Sequence, residues 1–132
     1  MSDFPRLLIT TDDPVAGGSA QVAFDLAQRL STVFPVHLAF KHSASNRARM
    51  DRMDLSRVTC HDFQHDQNDL LRSTYDLRSA IDLLATAQPS VLVVSSSCVT
   101  ASHLALLRVA ATAQIPAIII VNGYWDGYPS DR

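Results

Sequence analysis

Cysteine is scarce in this sequence. Cys60 and Cys98 are the two present in 132 residues, far apart, with no CxxC spacing or histidine-rich context around them. That argues against a zinc site or a disulfide framework, and leaves reduced, buried thiols in a cytoplasmic protein as the default reading. Charge of one sign is lacking too. Eleven Lys and Arg stand against 13 Asp and Glu, the net charge is −2, and no basic block occurs. Nucleic acid is therefore not an expected partner. Long apolar runs are absent: the longest, Pro116 to Val121, is far too short to span a bilayer. The opening Met1-Ser2-Asp3-Phe4-Pro5 lacks the basic start and apolar stretch of a signal peptide. What remains is an ordinary globular balance, 47 % hydrophobic and 18 % charged, read as one domain over residues 1–132.

Glycine is also rare, with four in the chain, and two of them are adjacent at Gly17-Gly18. They lie between an apolar run, Arg6 to Thr11, and an amphipathic run, Gln21 to Phe34. A glycine turn from a strand into a helix start offers backbone N–H groups and the positive end of the helix dipole, a ready site for phosphate or another anion. The spacing is neither GxGxxG nor GxxxxGK[ST], and no lysine follows, so the dinucleotide and P-loop fingerprints are both missing. The plainer reading is a tight corner, with Gly17 and Gly18 allowing positive φ and close packing.

Strand and helix signals alternate along the chain. Leu7–Thr11 reads as a buried strand. Val22, Leu26, Leu30 and Val33 then recur at helical spacing, with Ser19 as N-cap and Pro35 as the stop. Val36–Phe40 is a second strand, residues 41–56 a polar loop with one helical turn, and Arg57–Phe63 a short edge strand. Residues 66–87 read as one long helix. Val91–Val94 is continuously apolar, as strands buried on both faces are. Ser95–Cys98 reads as a loop, Thr100–Gln114 as a helix and Pro116–Val121 as the last strand, followed by a turn-rich aromatic tail. Alternation with right-handed crossovers predicts a Rossmann-like α/β/α sandwich, with a five-stranded parallel sheet in the order 3-2-1-4-5. Ligands of such sheets bind beyond the strand carboxyl ends where the order reverses, here between strands 1 and 4.

The candidate site follows from that placement. Gly17, Gly18 and Ser19 form the expected anion-binding turn. Asp13, Ser95, Ser96, Asn122, Gly123, Tyr124 and Trp125 line the same crevice. Each has a plainer explanation: turn formation for Asp12 and Asp13, capping for the serines, packing for Tyr124, Trp125 and Tyr128. No glycines flank the serines as a nucleophile elbow requires. The five histidines show no metal spacing. His61 and His65 read as a solvated loop and His103 as a surface or satisfied helix position, so no metal and no cofactor is expected.

Several stretches together resemble the N-terminal half of a GT-B glycosyltransferase of the family-4 type. They are Leu7-Leu8-Ile9-Thr10, Gly17 through Leu30 with its Gly-Gly-Ser and LAxxL pattern, Gln88 through Val94, and Ile115 through Trp125. The resemblance implies a nucleotide-sugar donor, a glycan or small-molecule acceptor, and a second Rossmann-like domain or subunit holding most of the donor. It places Gly17 and Gly18 near the donor diphosphate. This sequence departs from the family pattern at Ala20, at Asn122 and at Ser95 or Ser96, where the family often has glutamate or histidine. Because a complete enzyme of that type needs the second domain, the isolated chain is expected to be inactive in transfer. The alternative is a stand-alone, non-catalytic binding module, and a receiver-like signalling domain is disfavoured by Asn122 where a lysine is needed.

Overall fold

A computed structural model describes residues 4–11, 18–63, 77–96 and 101–121. The elements are β1 (Leu7–Thr11), α1 (Gly18–Leu30), β2 (Val36–Phe40), α2 (Ala44–Asp51), β3 (Val58–Asp62), α3 (Leu77–Ala87), β4 (Val91–Ser96), α4 (Ala101–Thr112) and β5 (Ala117–Val121). The strands form one parallel sheet in the order β3-β2-β1-β4-β5, as the alternation predicts. This is an α/β, Rossmann-like architecture.

Strand alternation sends neighbouring residues to opposite faces. Leu7, Ile9, Val36, Leu38, Phe40 and Val93 pack with Ala23, Phe24 and Ala27 of α1. Leu8, Ala39, Leu92 and Val94 pack on the other face with Ala80, Leu83, Leu84 and Ala87 of α3 and Ala105, Leu106 and Ala110 of α4. Every residue of β1 is buried, because β1 has a strand on each side and helices on both faces. The Phe24 and Phe40 rings meet at 4.8 Å and lock α1 onto β2.

Three local readings change. Residues 41–56 hold a true helix, α2, rather than a loop with one turn. The Ser43 side chain caps it by accepting from the Asn46 N–H, and the buried Asn46 and Arg49 anchor it, so tertiary contacts support a segment of weak periodicity. Ser19 is not the N-cap of α1: the helix begins at Gly18, and Ser19 is buried within its first turn. Ser95 and Ser96 are not a loop, because pairing to Thr11 and to Ile120 and Val121 extends β4 through them. Of the long helix expected over 66–87, Leu77–Ala87 is observed as α3, and residues 64–76 lie outside the described residues.

Both helices of the second face end without glycine. Gln88 and Gln114 take φ of 45° and 60°, the left-handed region. After α4 the Ile115 N–H reaches the Ala110 carbonyl at 2.8 Å, and the Gln114 N–H reaches Ala111 at 3.0 Å. That is a Schellman closure with glutamine where glycine is usual. The edge strand β5 keeps apolar side chains in water, with Ile118 54 % and Val121 61 % exposed.

Two stability predictions follow from this packing. Phe24→Ala should cost about 3–5 kcal/mol in urea unfolding, and Ile118→Ala no more than about 0.5 kcal/mol. Gln114→Gly should stabilise by about 1 kcal/mol in the same measurement, because it relieves the left-handed strain.

Candidate functional site

The described residues include eight buried polar or charged side chains: Thr10, Thr11, Ser19, Asn46, Arg49, Ser95, Ser96 and His103. Six of them gather where the strand order reverses. Thr10 and Thr11 end β1, Ser95 and Ser96 end β4, Ser19 is the second residue of α1, and His103 is the third of α4. The chain brings them together because β1 and β4 are sequence-distant but pair directly, Thr11 opposite Ser95. Their following helices depart to opposite faces, α1 to one and α4 to the other.

The cluster has two halves. On the α1 face, the Ser95 hydroxyl donates to the Ser19 carbonyl at 2.8 Å. That bond ties the first turn of α1 to the end of β4 and holds the helix start over the reversal point. The N–H groups of a helix's first turn have no intrahelical acceptors and carry the positive end of its dipole. On the α4 face, Thr10 Oγ1 and His103 Nε2 share a hydrogen bond of 3.0 Å, with the imidazole 6.2 Å from the Phe63 ring. Both residues are fully buried, so this bond fastens α4 to β1 from beneath the site.

Gly18 begins α1, and a Cβ placed on it would meet open space. No described glycine has positive φ. Gly18 is therefore not required for conformational freedom, which removes the tight-corner explanation at that position. Asp13, Gly17, Asn122, Gly123, Tyr124 and Trp125 lie outside the described residues, as do Asp12, His65, Ser97, Cys98, Thr100 and Tyr128. Among the described residues, no group of three metal-ligating side chains occurs. No helix among them is long and apolar enough to cross a membrane.

Sequence reasoning missed Thr10, Thr11 and the role of His103. Apolar neighbours hid the threonines inside a strand pattern. His103, expected at a surface or satisfied helix position, is fully buried, with its Nε2 bonded to Thr10.

A second histidine arrangement lies on β2 and β3. His37 Nδ1 and His61 Nε2 are 2.7 Å apart with the rings stacked, so one proton is shared between them. His61 thus belongs to a strand, not the solvated loop expected. Burial pushes both imidazoles below their ordinary value, and for His37 the neighbouring His61 and Arg6 add to the effect. Burial also pushes the Cys60 thiol up, so it is a poor thiolate.

No family model matches this chain, and no curated protein matches it. A solved structure that it resembles is a phenylacrylic acid decarboxylase from Aquifex aeolicus, with a TM-score of 0.42 and 12 % identity over 97 % of this chain and 89 % of that one. That likeness is too distant to carry a functional argument. The expected kinship with GT-B glycosyltransferases is corrected: no family model and no curated protein bears it out, and that solved structure is of a decarboxylase. The alternative of a non-catalytic module gains no support either. The Gly-Gly-Ser and LAxxL pattern that carried the resemblance is what a parallel strand, turn and amphipathic helix produce in many doubly wound sheets. The nucleotide-sugar donor, the acceptor and the second domain rested on that resemblance alone.

Two outcomes test this geometry. Ser95→Ala should lower stability by about 1 kcal/mol in chemical unfolding, because it removes a buried hydrogen bond between β4 and α1. Acidification should destabilise the fold through His37 and His61. Their folded pKa values lie below the ordinary histidine value of 6.5, so the unfolded chain binds more protons as pH falls below it. The stabilisation present above that value is lost as pH drops toward the folded pKa values. His37→Phe should flatten that part of the curve of unfolding midpoint against pH.

Proposed function

We propose that this chain binds a phosphate-bearing small molecule at the carboxyl edge of the sheet between β1 and β4, with the first turn of α1 as the anion-holding element. The observation that carries this reading is the concentration of buried polar side chains at that one place, six of the eight among the described residues. Burying hydroxyls is costly unless they are satisfied, and doing so at the reversal point builds a rigid polar floor where ligands of such sheets sit. The Ser95–Ser19 bond presets the helix start, which reduces the ordering cost of binding. Gly18 and Ser19 approach the phosphate through their backbone, and Ser96 flanks it. The setting that suits such a ligand is the cytoplasm, where phosphorylated metabolites abound and a thiol such as Cys60 stays reduced.

The test separates binding from stability. Gly18→Asp adds a negative charge at the start of α1, where the helix dipole favours it and a side chain meets open space. The variant should fold with stability equal to or above the parent by up to about 1 kcal/mol. Nuclear magnetic resonance titration with phosphate monoesters should move the Gly18–Ala20 amides of the parent, and the variant should bind about tenfold more weakly or worse. Equal binding by parent and variant would remove α1 from the site.

A further inference from the structure

The two remaining buried polar residues, Asn46 and Arg49, lie apart from that cluster, on α2. Arg49 is 4 % exposed, and a guanidinium cannot shed its proton. Its contacts among the described residues are neutral. Nε donates to Gln21 Oε1 at 3.0 Å, one terminal nitrogen donates to Asn46 Oδ1 at 3.1 Å, and the carbon of the guanidinium sits 5.5 Å above the Phe24 ring. No carboxylate among the described residues pairs with it. A buried charge is costly unless an opposite charge or a full set of hydrogen bonds compensates it, and these two bonds leave three of its five N–H groups without an acceptor among the described residues.

A second group at the same strand exit is unmet. His42 packs its ring 4.6 Å from Phe40, and its Nε2 is buried with no partner among the described residues. Arg49, Phe24, Phe40 and His42 form one run of contacts across the carboxyl end of β2. Gln21, which holds the Arg49 Nε, is the fourth residue of α1, so this run stands beside the same helix start without belonging to the β1–β4 cluster.

We propose that the carboxyl end of β2 is a second oxyanion site, in which Arg49 holds a phosphate group. The guanidinium is planar by its own resonance, the aromatic face beneath it keeps it desolvated, and Asn46 and Gln21 fix its orientation. A planar fork so held presents its remaining N–H groups in the geometry that a phosphate accepts in pairs. The site goes beyond the β1–β4 reading and does not depend on it.

The probe is inorganic phosphate, titrated against chloride at constant ionic strength. The readout in the parent protein is the Arg49 Nε–H resonance, which should shift and saturate with phosphate but not with chloride. Arg49→Met keeps a long side chain over Phe24, so it should fold, and it should bind phosphate at this site about tenfold more weakly or worse. Gly18→Asp, which disables only the start of α1, should leave the Arg49 response intact. An unmoved Arg49 resonance overturns the proposal, as does a shift that follows ionic strength alone. A response that appears only in Asp12→Asn or Asp13→Asn also overturns it, because the chain's own carboxylate would then be the counter-ion.

Discussion

The parallel pairing of β1 with both β2 and β4 is the constraint on which the rest of this structure depends. Parallel strands need crossover connections, and those connections are right-handed. Growing outward from β1 in one direction puts α1 and α2 on one face. Growing in the other puts α3 and α4 on the opposite face. The reversal between the two directions leaves the ends of β1 and β4 adjacent with their helices diverging. The polar cluster of Thr10, Thr11, Ser19, Ser95, Ser96 and His103 occupies that opening.

The same pairing decides what is rigid. β1 is buried throughout, β2 nearly so, and the hydrogen bonds from Ser95 to Ser19 and between Thr10 and His103 fasten a helix from each face to the central strands. Each of these bonds lies in a region from which water is excluded, where a satisfied polar pair specifies one arrangement and an unsatisfied one is expensive. The outer strands differ. β3 contributes His61 to a half-buried histidine pair with His37 of β2, and β5 leaves apolar residues in water. Geometric precision is therefore concentrated at the centre of the sheet, beside the helix start that would hold an anion.

Strand order was legible in the residues, because an apolar run of five followed by a helical period of three to four is a local signal. The limits of that signal are visible in particular residues. Ser95 and Ser96 read as a loop because serine favours turns, yet pairing to Thr11, Ile120 and Val121 makes them strand. α2 was illegible because its stability comes from Asn46 and Arg49 packing against other elements rather than from its own period. The kinship with glycosyltransferases failed for a related reason. Local strand–turn–helix patterns report the unit from which many sheets are built, not the chemistry placed upon it.

By itself, then, the sequence determined the alternation of elements, the parallel sheet and its strand order. These follow from hydrophobic period and turn chemistry, which act over a few residues. Only the tertiary structure decided which polar side chains are buried together. Thr10 meets His103 across 93 positions, Ser95 meets Ser19 across 76, and Arg49 meets Gln21 across 28. Such contacts depend on register and crossover handedness, and no local pattern along the chain encodes them.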